Sequence, residues 1–201
     1  MNCPVCKATT LVAEELEPGL DGRRCRQCGG RWIEGGRYLA WVAAQGQRLA
    51  DKPPEEGVEL PVAESGKAKL CPECGRFLTR AKVGRGVGFH LERCANCGGI
   101  WTDANEWEVL KSRNMHDNLH FIFSGAWQAE VMRQERDAAR EQLLLKKLGA
   151  EDLAEVKRVR AWLDGHPKRA ELYAVLLEGF EVRPAQPASE QTSGDAGATK
   201  P

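Results

Sequence analysis

Apolar and polar residues change rhythm along this chain. From Phe77 to Val83 and from Val87 to Arg93 they alternate, with Gly84-Arg85-Gly86 between, which predicts two strands joined by a glycine-rich turn. Leu11 to Leu16, ahead of Pro18-Gly19 and Asp21-Gly22, predicts a weaker hairpin of the same kind, and short helices are expected near Gly36 to Gln45 and Ala104 to Arg113. Beyond residue 115 the rhythm turns helical. Trp127, Val131, Ala138, Leu145 and Leu148 recur at one or two turns while Arg133, Asp137 and Arg140 can pair on the other side, so one long helix is expected to end at Gly149. A second helix is expected from Glu151 to Asp164, striped with Leu153, Val156, Val159 and Leu163, and a third from Pro167 to about Glu178. From Pro184 to Pro201 the chain has little to bury, and disorder is expected there.

The hairpins sit inside an internal repeat. Cys3-Pro4-Val5-Cys6 followed by Cys25-Arg26-Gln27-Cys28-Gly29-Gly30-Arg31-Trp32 returns as Cys71-Pro72-Glu73-Cys74 followed by Cys94-Ala95-Asn96-Cys97-Gly98-Gly99-Ile100-Trp101. Between the copies, Pro53, Pro54 and Pro61 mix with Glu55, Glu56, Glu59 and Glu64, a composition that reads as a stiff acidic linker. The expected organisation is a first module over residues 1–48, a linker over 49–68, a second module over 69–114, a helical region over 115–183 and a tail over 184–201. On this reading the linker uncouples the two modules, so that damage to one leaves the other folded.

All 8 cysteines of the 201 residues lie in these four Cys-x-x-Cys pairs. Two pairs supply the four sulfurs that a tetrahedral Zn²⁺ takes at about 2.3 Å. The metal ligands are therefore predicted to be Cys3, Cys6, Cys25 and Cys28 in one set and Cys71, Cys74, Cys94 and Cys97 in the other. Each copy is too small for an adequate hydrophobic core, and structural zinc contributes roughly 10–16 kcal/mol of apparent binding energy to folding. Glycine follows the second Cys of three pairs and Lys7 stands in that place in the first knuckle, where a bend to positive φ would strain it. Iron in a rubredoxin-like site uses the same ligands, so the ligands alone leave the metal open. A thioredoxin-like redox pair fits poorly, because it needs one Cys-x-x-Cys at a helix start in a βαβ setting.

Net charge is zero, which gives no chain-wide case for nucleic acid or an acidic membrane. No run approaches the roughly 18 apolar residues of a membrane span, and the start has neither the basic nor the apolar region of a secretory signal. A cytoplasmic protein with reduced, metal-bound thiols is expected. His90, His116, His120 and His166 are not needed as ligands, and no catalytic constellation has motif context, so an enzyme is not expected.

Cys-Pro-x-Cys with Cys-x-x-Cys-Gly-Gly-x-Trp and acidic residues just after resembles the bacterial family of transcription-factor-IIB-type zinc ribbons, in two tandem copies. The resemblance covers residues 3 to about 42 and 71 to about 112. Where that family runs Leu-Asp-x-Gly-Glu-Leu, the second copy keeps Asp103 and Glu106 and lacks the Gly, while the first keeps a Gly and has Arg37 in place of the second acid. The resemblance implies a small, metal-stabilised α+β fold: two four-cysteine ribbons with short helices, followed here by the helical region. Trp32 and Trp101 are expected to pack over the ribbons.

The expected function is that of a zinc-binding adaptor or regulatory protein acting through protein–protein contact. The helical region is expected to hold a protein partner or to form a homodimer, using Trp127 and Val131 at one end of the long helix and Leu143, Leu144, Leu145 and Leu148 at the other. The alternative is a nucleic-acid-binding or transcription-associated ribbon protein, gripping phosphate weakly with Arg76, Arg80, Lys82 and Arg85 beside Phe77 and Phe89 of the second copy. A redox or iron-binding protein is the distant third.

Overall fold

In the computed structural model, residues 1–46, 50–53, 61, 62 and 64–178 are described. The chain divides into two units, residues 1–140 and 141–201.

In the first unit each repeat builds the same three strands and a helix. The first copy gives β1 (Val12–Glu17), β2 (Leu20–Arg24), β3 (Arg31–Ile33) and α1 (Gly35–Ala44); the second gives β4 (Leu78–Gly84), β5 (Val87–Cys94), β6 (Ile100–Thr102) and α2 (Glu106–Ser112). The hairpins β1–β2 and β4–β5 form where alternation and turn residues place them. The two short strands β3 and β6 pair with each other, antiparallel, and join the copies into one six-stranded sheet in the order β1-β2-β3-β6-β5-β4.

That junction has an internal twofold. Trp32 stands opposite Trp101, Arg31 opposite Thr102 and Ile33 opposite Ile100. Exchanging each residue for its counterpart in the other copy maps the second pair onto the third, which is the rule of an isologous dimer interface. Each tryptophan then crosses to the other copy. A Cβ added to Gly99 would lie 2.0 Å from Cζ2 of Trp32, and one added to Gly30 would lie 2.2 Å from Cζ2 of Trp101. Only glycine lets these indoles lie so close to the opposite backbone. Trp32 and Trp101 are 1% and 0% exposed, so the expectation that they pack over the ribbons holds, across the junction.

Two expectations are corrected here. The linker does not hold two independent modules apart, because strand pairing and indole exchange fuse the copies, and the linker's described residues lie on the second copy. Glu64 binds Arg80 and His90, Asn105 donates to the Pro61 carbonyl, and the Ser65 N–H donates to Asp103. Pro54, Glu55, Glu56 and Glu59 fall outside the described residues.

Trp127 and Val131, expected to be an association surface, are buried at 8% and 3% exposure. They belong to α4 (Gly125–Leu148), which follows a single helical turn, α3 (Leu119–Ile122). The Trp127 indole donates to the Val83 carbonyl (2.8 Å) and Gln128 Nε2 to the Lys82 carbonyl (2.9 Å), while Val131 packs on Gly84. The helix thus covers one end of β4 at the sheet edge, where main-chain groups would otherwise be open to another chain. Leu110, Met115, Leu119 and Ile122 join the same core as Val83, Phe89 and Leu91. Tyr38 ties α1 to this layer by donating to the His116 carbonyl and accepting from the Leu119 N–H.

The second unit holds the last turns of α4 together with α5 (Ala150–Asp164) and α6 (Arg169–Leu177). The predicted helices form with nearly the expected limits. Their burial is slight. Leu153 and Leu163 are buried, whereas Leu143, Leu145, Leu148, Val156, Trp162 and Leu176 are exposed. The tail from residue 184 lies outside the described residues.

Candidate metal centres

Each centre is made by two knuckles. In three of them a main-chain bond of 2.9 Å runs back to the first Cys carbonyl from the glycine four residues on: Gly29 to Cys25, Gly75 to Cys71, Gly98 to Cys94. The bond curls the chain so that both sulfurs of a pair face one point. Those glycines sit at φ of 71° to 75°, and Lys7 makes the same turn at 63° with a 2.8 Å bond to Cys3. A side chain there costs about 1–2 kcal/mol, partly offset by the greater freedom of glycine in the unfolded chain. Lys7→Gly is therefore expected to stabilise the first centre by about 0.5–1 kcal/mol, a two- to fivefold gain in zinc affinity. Competition with a chromophoric chelator measures it, and weaker binding would contradict the strain.

The predicted ligands assemble as two sets of four: Cys3, Cys6, Cys25 and Cys28, and Cys71, Cys74, Cys94 and Cys97, with the sulfurs of each set within 4.8 Å of one another. Within the sets, between one knuckle and the other, Sγ–Sγ distances are 3.6 Å for Cys3–Cys28, 3.9 Å for Cys6–Cys25, 3.6 Å for Cys71–Cys97 and 3.4 Å for Cys74–Cys94. A tetrahedron with a centre about 2.3 Å from each sulfur has edges of about 3.8 Å, so the donor set fits zinc; a disulfide would need about 2.05 Å. Burial opposes ionisation of Cys25, but main-chain N–H groups of Cys28 and Gln27 outweigh it and bring the thiol down to about 7. Cys94 falls to about 7 in the same way through Cys97 and Asn96. Burial pushes Cys3, Cys28, Cys71 and Cys97 up. Four sulfurs gathered around one point form the donor set of a cation, and a closed four-sulfur shell makes such a cation structural.

Beside the second centre lies a charge cluster that the sequence reading missed. Lys69 Nζ donates to Glu92 (2.7 Å), Asp103 (2.9 Å) and the Ser65 carbonyl (3.2 Å), with its side chain 1% exposed. Glu106 Oε2 accepts from the Asp103 N–H at 2.8 Å, which ties the first residue of α2 to the residue just after β6. Burial pushes the Glu106 carboxyl up to about 9, so it is protonated at neutral pH; its stabilising share is complete below the ordinary carboxylate range and is lost as pH climbs to about 9. The signal was present in the repeat, where Glu92 and Glu106 stand against Arg23 and Arg37 of the first copy.

The basic residues of the second hairpin are mostly engaged. Arg80 pairs with Glu64, Lys82 with Glu135 and Arg85 with Asp51, Arg85 also lying 3.9 Å over the Trp127 ring. Phe89 is buried and Phe77 exposed. His116 packs edge-on against Trp107, and burial lowers its pKa. Among the described residues no helix is long and apolar enough to cross a membrane.

Residues 2–44 and 70–113 each match the family described as transcription factor zinc-finger. No curated protein and no solved structure matches the chain. The matched segments coincide with the two halves of the sheet and enclose every cysteine, so residues 2–44 and 70–113 are two tandem segments similar to the transcription factor zinc-finger family, each with a four-cysteine site that suits one structural zinc ion.

Proposed function

We propose that the protein is a zinc-stabilised adaptor of the cytoplasm, a binding module and not an enzyme, which holds another protein through the helices of residues 141–178. The observation that carries this reading is the apolar surface of that unit. Val156, Trp162 and Leu176 are 55%, 56% and 47% exposed, and a groove between α5 and α6 is lined by Val156, Val159, Leu163, Tyr173 and Leu176. Two helices with two buried leucines leave apolar area of the kind that marks a contact site.

A chain cut after Asn114 would lose Trp127 and Val131 from the core of the ribbons, so the test keeps the whole chain. In pull-down and light scattering, the full chain is expected to capture a partner or self-associate, and Val156→Glu with Leu176→Glu is expected to lose this while retaining two zinc ions. Both positions are exposed, so the substitutions leave the packing of the helices intact. Undiminished association in the double variant, or none in the parent chain, would end the reading. A transcription-associated role is the second reading, favoured by the family of the ribbons. Tight DNA binding that weakens with salt would support it over the adaptor.

A further inference from the structure

The internal twofold allows one ribbon to be used as a template for the other. On the second ribbon, the segment just before its first Cys lies over the sheet face. The Glu64 carboxylate accepts from the His90 N–H (2.9 Å) and pairs with Arg80, the Ser65 N–H donates to Asp103 (2.9 Å), and Lys69 enters between Glu92 and Asp103. The segment fills the face and leaves Glu92, Asp103 and Glu106 buried at 4%, 4% and 0% exposure.

The strand registers fix the counterparts. Glu92 faces Trp101 as Arg23 faces Trp32, and Arg80 faces Glu92 as Ala13 faces Arg23. By the same register Asp21 stands for His90, and the aligned repeats set Glu34 for Asp103 and Arg37 for Glu106. In the first ribbon these positions line an open cleft of about 270 Å³, closed at its inner side by Trp32 and by Glu73, which accepts from the Trp32 indole. The side chains of Glu34 and Arg37 are 54% and 58% exposed, against the buried pair opposite. No described segment covers them.

The charges are inverted as well. Glu92 and Asp103 receive Lys69 in the second ribbon, with Glu106 beside them; Arg23, Glu34 and Arg37 stand in the places of these three in the first. Arg37 is taken up by Asp21 and Glu34. Arg23 is exposed and makes no ion pair or side-chain hydrogen bond among the described residues.

We propose that the cleft of the first ribbon is a second binding site, separate from the helical surface, which takes an extended peptide segment of a partner protein and places a carboxylate side chain against Arg23. The peptide would lie as residues 64–69 lie on the second ribbon. Its acid would take the place of the Lys69 ammonium, and the Ala13 position would ask for no second charge where Arg80 receives Glu64.

The test uses the zinc-loaded full chain and two synthetic peptides, residues 61–70 as they stand and the same peptide with Lys69→Glu, read by NMR on the indole N–H signals. The Lys69→Glu peptide is expected to move the Trp32 signal, to leave Trp101 in place, and to bind at least tenfold more tightly than the unchanged peptide. Arg23→Glu in the protein, at an exposed position with no side-chain partner among the described residues, is expected to reverse that preference with both zinc ions retained. If neither peptide moves Trp32, or if Arg23→Glu leaves the preference as it was, the proposal is overturned. The helical surface is read separately on Val156→Glu with Leu176→Glu, so one site can fail while the other stands.

Discussion

Cys74→Ser is expected to unfold both ribbons. The variant loses one thiolate of the second centre and with it most of a metal contribution of about 10–16 kcal/mol, more than a small domain's whole stability. The loss spreads because each half completes the other. The knuckle of Cys25 and Cys28 ends in the Gly30 that receives Trp101, and the knuckle of Cys94 and Cys97 ends in the Gly99 that receives Trp32. The Trp32 indole also donates to Glu73, one residue from Cys74. When the second knuckle opens, Trp32 and β3 lose their cover, and the first centre is left on a hairpin with little core. Amide NMR spectra of the variant should therefore lose the dispersed signals of residues 1–46 together with those of 69–131, and bound zinc should fall from two ions towards none. A variant that keeps one zinc and the first ribbon's signals would show that the sheet junction carries little of the stability.

The second large effect is expected at Lys69. Lys69→Met keeps much of the apolar stem and removes the ammonium, which leaves Glu92 and Asp103 facing each other at about 5% side-chain exposure. Removing one partner of a buried pair costs about 3–5 kcal/mol, because the remaining charge has neither water nor a counterion. Burial already holds the Glu92 carboxyl above its usual range with Lys69 present, and without it the carboxyl must rise further. A raised native value means that the group stabilises fully at acid pH and loses that share as pH rises. The deficit should accordingly be small in acid and reach its full size near neutrality. Urea unfolding of the zinc-loaded chain at several pH values measures this, and a deficit below about 1 kcal/mol at neutral pH would mean that the cluster is hydrated.

Much of the candidate site is legible in the sequence. Cysteine spacing and the tandem repeat give the ligand sets, because each copy brings two Cys-x-x-Cys pairs, the four sulfurs of one site. The hairpins and the long helices follow from periods of two and 3.6 with glycines at their ends. The joining strands are not legible: β3 and β6 have three residues each, too few for a period to show, and their pairing depends on a partner far along the chain. The direction of the tryptophans is hidden for the same reason, since Cys-Gly-Gly-x-Trp suits an indole over its own knuckle as well as one over its neighbour's. The burial of Trp127 and Val131 is not legible, because the apolar stripe of a helix does not say what it meets. Here it meets the edge of β4. The charge inversion between copies was readable by aligning them, yet its meaning required seeing that residues 64–69 lie on one copy.

Tying both halves of the β3–β6 junction into one chain has a consequence for evolution and for dilution alike. In a homodimer every substitution appears twice, so a face that closes over one subunit must close over both. Tandem copies escape that constraint, and one face can be sealed by its own chain while the other keeps arginines and an open cleft. The junction also forms within the molecule, at an effective concentration set by the connecting segment, whereas a dimeric sheet dissociates as protein becomes scarce. Joined in this way, the ribbons keep their shared sheet in a cell that holds only a few copies of the chain.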